Sequence, residues 1–394
     1  MDDTERGLVI VGGGTGAHTC VQAYREAGGT SPVTIVGDDD RPPYFRPALT
    51  KELITGEQGW DDLPLEDEAW WREHEATLRL GVTAFGFDAP SRTLATSEGP
   101  VPFGSLVLAT GSSAGSLPVP GADHERVLRI RHAADAARLL DAVGRGGDVL
   151  VIGSGFIGCE LAASLRSRGV TVTMATMEAA PQADRLGNEV GAILAGWLAE
   201  SAVELHGGVH LQAVEHGDGG STAVFEEGLR LDAAHVVMAT GARPNLDVAT
   251  AGGLDTEHGV PVDASMRTAI DGVLAIGDIA HARHPIAGRR LRVEHWGDAE
   301  RMGAVAGHVL AGQGDEWREV PGFWSVIDGR ELKYVAWGDG YDDSLVRRSA
   351  DGGFTVWYAK DDAVCGVLTY LHDEDNEAAE ELITSRARIP SSTS

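Results

Sequence analysis

Leu8-Val9-Ile10-Val11-Gly12-Gly13-Gly14-Thr15-Gly16-Ala17 and Val149-Leu150-Val151-Ile152-Gly153-Ser154-Gly155-Phe156-Ile157-Gly158 carry one pattern twice. Each opens with a short β-branched run, passes through a glycine-rich turn and enters a helix-like stretch. The first helix continues through Val21, Ala23 and Tyr24, the second through Leu161, Ala162 and Leu165. A further strand follows each: Val33-Thr34-Ile35-Val36, and Val170-Thr171-Val172-Thr173-Met174. This is a βαβ unit, twice. Its glycines let backbone N–H groups approach a pyrophosphate, with the helix N-terminus facing the negative charge. One such turn alone is weak evidence, and two in matching βαβ contexts are strong. Ala17 replaces the last glycine of the first turn, and it is small enough for the helix–strand contact required there.

Working outward, Leu106-Val107-Leu108-Ala109-Thr110-Gly111 closes the first half and Val236-Val237-Met238-Ala239-Thr240-Gly241 the second. A later strand ending in Ala275-Ile276-Gly277-Asp278 resumes the first pattern. The order predicts an α/β protein with two dinucleotide-binding (Rossmann-like) domains, one inserted in the other. The first is expected over 1–113 and 237–314, the second over 114–236. After residue 315 aromatic residues crowd together. Strands are expected at 335–337, 354–358 and 364–370, a helix at 377–385 and a loose tail at 386–394, giving an α+β C-terminal domain.

Composition narrows the function. The chain has 394 residues, 43% hydrophobic and 23% charged, an ordinary globular balance. Its 32 Lys+Arg against 60 Asp+Glu leave a net charge of −28. That disfavours nucleic acid and an anionic membrane as partners; solubility is the preferred reading. No apolar run is long enough to span a bilayer. The acidic start lacks the basic and apolar parts of a signal peptide, so the cytoplasm is expected. The three cysteines, Cys20, Cys159 and Cys365, have no paired spacing, so no metal site or disulfide centre is expected. Two dinucleotide sites without a cysteine pair point to hydride passing from a nicotinamide to a flavin, with electrons leaving by another route.

At this point the residues resemble a family: the NADH-dependent ferredoxin reductases of Rieske oxygenase and bacterial cytochrome P450 systems, related to apoptosis-inducing factor. The resemblance rests on the paired glycine motifs, Pro43-Tyr44-Phe45-Arg46-Pro47-Ala48-Leu49-Thr50-Lys51, Ala275-Ile276-Gly277-Asp278, Val293-Glu294-His295-Trp296 and Pro321-Gly322-Phe323-Trp324-Ser325. It implies FAD bound through Gly12, Gly14, Thr15, Gly16, Ala17, Asp38, Arg46, Lys51, Val82, Ala109, Thr110, Gly111, Arg131, Gly277, Asp278, His295 and Trp296. Arg129 would serve for Arg131 after a two-residue shift. It implies NADH or NADPH bound through Gly153, Gly155, Phe156, Ile157, Gly158, Thr176 and Gly241. Lys51 would sit by the flavin N5 edge paired with Glu160. The helix opening at Trp296 would point at the N1–C2 edge, where reduced flavin carries negative charge. Trp324 would shield the flavin face, or else be a core residue of the C-terminal domain.

The chain departs from the pattern in three places. Twenty-three residues after Gly153, where an NAD site carries an acid, stands Thr176, with Glu178 two places on and Arg185 the next arginine. Val326-Ile327 replaces the family's usual Asp-Gln. Clustered positive charge is confined to Arg289-Arg290-Leu291-Arg292 and Arg347-Arg348. The leading expectation is electron transfer from NAD(P)H through FAD to an iron–sulfur ferredoxin bound transiently, by a monomer or homodimer. The alternatives are a flavoprotein reducing a small molecule, quinone or oxygen, and an FAD-stabilised signalling or binding protein.

Overall fold

A computed structural model of the chain describes residues 6–390. The acidic start, residues 1–5, and the end of the expected tail, 391–394, lie outside them. Two five-stranded sheets form the frame. In the first, Val273–Ala275, Ser105–Leu108, Leu8–Val11, Val33–Val36 and Ala76–Arg79 lie side by side, all parallel. In the second the order is Glu204–His206, Val172–Ala175, Val149–Ile152, His235–Met238 and Val127–Leu128, again parallel. Leu8–Val11 and Val149–Ile152 are buried at every residue. That is why they read as continuous apolar runs rather than alternating ones. Each glycine turn lies at the C-terminal end of the strand where the order reverses, the place where open α/β sheets bind ligands.

Val273–Ala275 returns to the first sheet after the whole second sheet has been laid down, which is the insertion expected from the repeat. The expected division at 236/237 falls within strand His235–Met238. His235–Met238 pairs along its full length with Val149–Ile152, so that division would cut a strand. We propose instead that the domains exchange at the ribbon Ser112–Ala114/Ala242–Pro244. Trp317 is fully buried in the core of the first domain and its N–H bonds Ala264 O, and we propose that the C-terminal domain begins after it.

That last domain holds more strands than expected. Its antiparallel sheet runs Gly322–Ile327, Arg330–Ala336, Ala363–Tyr370, Phe354–Lys360, Asp343–Arg348. The expected single helix is two short ones, Asp373–Glu377 and Ala379–Thr384.

One packing contact matters for the site. Helices Thr15–Glu26 and Trp296–Leu310 touch backbone to backbone. A Cβ on Gly303 would come within 2.4 Å of Gly16 O, and one on Gly307 within 2.6 Å of Cys20 O. Only glycine permits this approach, and it sets the two helix N-termini side by side.

Candidate active site

The first turn has the form of a pyrophosphate cradle. Gly12 has φ +116°, and a Cβ there would lie 2.0 Å from Ala109 O, so the turn must start with glycine. Around Gly13 and Gly14 nothing lies within 4 Å of an added Cβ: the space is open. No side chain caps helix Thr15–Glu26 and no acid stands in its first turn. Its first N–H groups are therefore left for an anion. The second turn repeats this. A Cβ on Gly153 would lie 2.4 Å from Ala239 O, and one on Gly158 2.2 Å from Gly153 O. One on Gly155 would meet nothing nearer than Gln182 Nε2 at 3.7 Å. Helix Phe156–Ser167 is likewise uncapped and has no first-turn acid. Two dinucleotides fit these cradles.

Between them stands one buried carboxylate. Glu160 is 4% exposed. Its Oε2 accepts from Lys51 Nζ at 2.8 Å and from Thr50 Oγ1 at 2.8 Å. Its Oε1 accepts from Ser325 Oγ at 2.7 Å and Val326 N–H at 3.3 Å. The donors come from the first and C-terminal domains and the acceptor from the inserted one, so three domains meet at one group. Lys51 is itself 8% exposed and also donates to Pro47 O at 3.3 Å. In strand Gly322–Ile327 alternate side chains face opposite ways. Ser325 therefore points in, fully buried, while Trp324 points out, half-buried. Trp324 stacks on Phe45 of the first domain at 6.5 Å and 11° between planes, and Phe45 meets Trp296 edge-on at 5.3 Å. It thus packs on the first domain rather than within the C-terminal core. Thr50, Ser325 and Phe45 were not anticipated as contributors.

Asp278 follows Gly277 (φ +67°), is 7% exposed and accepts from Arg131 Nη2 at 2.5 Å. Arg131 also bonds Ser112 O at 2.8 Å. Arg129 instead binds Asp123, Ser116 and Ala122 O, which settles which arginine reaches Asp278. Glu294 faces the same cluster; burial first, then the charge of Asp278, pushes its carboxyl above the usual range. Arg46 packs over Tyr44 and donates to Arg131 O at 3.3 Å. Thr110 donates to Asn245 O at 2.6 Å, tying the two chain crossings together, and Gly111 and Gly241 take φ of +61° and +89°. Val82 is buried and its N–H bonds Gly37 O. Ala17 is fully buried.

Of the acidic run, Asp38 is exposed at the end of strand Val33–Val36, while Asp39 is the anchored one. Tyr44 donates to Asp39 at 2.9 Å, and His132 lies 3.5 Å away. Burial opposes ionisation of Asp39. The His132 and Tyr44 hydrogen bonds and the Arg46 charge outweigh it and hold the carboxyl below its ordinary range. His295 stands at the N-cap position of helix Trp296–Leu310 without a side-chain cap bond, and its ring bonds the fully buried Asp298 at 2.9 Å; Asp298 in turn accepts from Gly322 N–H at 3.3 Å.

At the second turn, Phe156 is edge-on to Phe323 at 4.7 Å, and Ile157 is 42% exposed beside it in sequence. Thr176 is 5% exposed, and its hydroxyl accepts from Ser154 Oγ at 2.8 Å and Glu178 N–H at 3.3 Å. Glu178 is half-buried, with its carboxyl pushed up by burial and by Asp184, and Arg185 opposes that shift. Replacement of Thr176 by glutamate is expected to raise the NADH-over-NADPH ratio of kcat/KM by about tenfold or more. A carboxylate accepts ribose hydroxyls and repels a 2′-phosphate, and a charge-assisted bond is worth roughly 1.5–3 kcal/mol. An unchanged ratio would place Thr176 away from the ribose.

The three cysteines stand apart from one another. Cys20 and Cys159 are fully buried in separate helices and Cys365 is half-buried, all unpaired. Burial pushes the Cys20 thiol up to about 12, and the Cys159 thiol higher still.

Two uncapped dinucleotide cradles joined at a buried ion pair define a two-dinucleotide oxidoreductase. The chain belongs to the pyridine nucleotide-disulphide oxidoreductase family, whose profile matches residues 6–303. It is an FAD-dependent NAD(P)H oxidoreductase. It is 31% identical to the ferredoxin–NAD(+) reductase component of the anthranilate 1,2-dioxygenase system of Burkholderia cepacia, over 96% of this chain and 94% of that one. Human apoptosis-inducing factor 3 is 28% identical over 96% of this chain and 63% of its own length. Among solved structures, that of the covalent putidaredoxin reductase–putidaredoxin complex superposes with a TM-score of 0.90 at 26% identity, covering 97% of this chain and 93% of that one.

Proposed function

We propose that this chain passes electrons from NAD(P)H through FAD to a small iron–sulfur ferredoxin that serves an oxygenase. The observation that carries the reading is Glu160 held by Lys51 at the junction of the two cradles. Likeness along nearly the whole length to a dioxygenase-system reductase supports it. FAD supplies acceptance of a hydride and release of single electrons. The chain's residues bind and orient: the two turns hold the pyrophosphates, Lys51 and Glu160 fix the edge where the dinucleotides meet, and Phe45, Trp296 and Trp324 wall the cleft against water. We place the reaction in the cytoplasm. Among the described residues no helix is long and apolar enough to cross a membrane.

The arginines of the two basic clusters are largely committed within the chain. Arg289 pairs with Asp339, and Arg290 donates to Val262 O and His281 O. Arg292 lies 3.7 Å from Glu294, Arg347 covers Trp357, and Arg348 binds Glu189. With a net charge of −28 the chain repels an acidic ferredoxin. Salt should therefore speed the encounter, since the Debye length falls from about 30 Å at 0.01 M to ~8 Å at 0.15 M. The test is an anaerobic titration with NADH and NADPH, followed by added ferredoxin at low and raised salt. Ferredoxin reduction that accelerates with salt while flavin bleaching stays constant supports the proposal. Fast bleaching with no transfer to ferredoxin at any salt would reject it for a small-molecule acceptor.

A further inference from the structure

Glu300 joins two parts of the site that the sequence reading kept apart. Its Oε1 accepts from Thr15 Oγ1 at 2.9 Å and from Trp296 Nε1 at 2.8 Å. Thr15 is the first residue of the helix that follows the first glycine turn, and Trp296 is the first residue of helix Trp296–Leu310. Both helix starts lack a side-chain cap, which leaves their first N–H groups unpaired within the helix; the second carries the fully buried Asp298 in its first turn, held by His295 and Arg301, while the first has no acid of its own there. The carboxylate is half-buried where the two N-termini meet. The glycine contacts of Gly303 and Gly307 bring the helices close enough for one side chain to span both.

We propose that Glu300 sets the reduction potential of the bound FAD and is a positioning residue for the electron-transfer site. The argument has two parts. The negative charge of Glu300 opposes the positive ends of two helices whose field favours negative charge on the cofactor. It therefore makes the added electron pair less welcome and lowers the potential. At the same time its two accepted hydrogen bonds hold the Trp296 indole and the Thr15 side chain in one geometry. Charge and geometry separate by substitution. Glu300→Gln keeps an amide oxygen for both donors and removes the charge. Glu300→Ala removes both. Trp296→Phe keeps an aromatic ring, smaller than the indole, and withdraws one donor, leaving the carboxylate less compensated.

This rests on FAD occupying the first cradle. The measurement is equilibrium reduction of the purified holoprotein against a reference dye, followed by absorbance, with FAD content determined after denaturation. Glu300→Gln is expected to retain FAD and to raise the potential by a shift of up to about tenfold in the reduction equilibrium, ~30 mV for a two-electron couple. Trp296→Phe should shift it the opposite way by a smaller amount. Glu300→Ala should retain FAD less well than Glu300→Gln. Opposite signs for Glu300→Gln and Trp296→Phe support the proposal. Full FAD content in Glu300→Gln with an unmoved potential overturns it, as do shifts of one sign in both variants, which general loosening would produce. A Glu300→Gln protein without FAD also overturns it, because removing a negative charge should not weaken an anionic ligand. Wild-type protein without FAD would instead refute the cofactor assignment beneath it.

Discussion

Glu160→Gln is expected to slow bleaching of the flavin by NADH about 10- to 100-fold, with Lys51→Met giving a similar loss. Each removes a charge-assisted hydrogen bond worth roughly 1.5–3 kcal/mol, and about 1.4 kcal/mol corresponds to tenfold in rate. Stopped-flow absorbance under anaerobic conditions reads the effect, and FAD content should stay unchanged. The double variant should lose less than the product of the two single losses, because directly bonded groups couple. The two residues differ in what they leave behind. After Lys51→Met, Glu160 still accepts from Thr50, Ser325 and Val326 N–H. After Glu160→Ala, Lys51 keeps only Pro47 O, at 3.3 Å, while almost fully buried. Leaving a buried charge unpaired costs roughly 3–5 kcal/mol. Glu160→Ala should therefore lower the urea midpoint clearly more than Lys51→Met. Wild-type bleaching in both charge-removing variants would keep the oxidoreductase and reject this pair as its junction.

What could be read from the sequence was what is local. The two glycine turns announce themselves within ten residues each, because a buried parallel strand, a positive-φ glycine and an uncapped helix start must follow one another directly. The insertion of one domain in the other was legible from the repeat of Ala-Thr-Gly closures. Contacts across domains were not. Ser325 stands 165 residues from Glu160, and nothing in its neighbourhood marks it as a donor. Thr50 hides beside Lys51 for the same reason. In Asp38-Asp39-Asp40 no local rule distinguishes the acid that Tyr44 and His132 anchor from the exposed one before it. Strand Asp343–Arg348 was missed because it is an edge strand with charged ends, and natural sheets protect edges with such residues. Strand Gly322–Ile327 was recognised only as a motif, although its in–out alternation is what sends Ser325 to Glu160 and Trp324 to Phe45.

The two cradles can be told apart by filling them one at a time. Gly14→Val is expected to give a folded but colourless protein. Gly14 has φ −95° and ψ −176°, which valine adopts without strain, and a Cβ there meets nothing within 4 Å. The protein itself has no reason to object, so the added side chain obstructs only what enters the turn. Gly155→Val is the counterpart. Its φ of −61° and ψ of 171° also suit valine, and its nearest neighbour is Gln182 Nε2 at 3.7 Å. That protein should purify yellow with full FAD, bleach with dithionite, and lose bleaching by NADH and NADPH by two orders of magnitude or more at fixed concentration, since the pyrophosphate can no longer approach the helix start. Gly12→Val serves as the contrast. A Cβ there lies 2.0 Å from Ala109 O at φ +116°, so it should fail to fold rather than fail to bind. Circular dichroism separates the two kinds of failure. Full FAD content in Gly14→Val would remove the first turn from the flavin site. NADH bleaching at the wild-type rate in Gly155→Val would remove the second from the nicotinamide site, and with it the reason for placing Glu160 where the two dinucleotides meet.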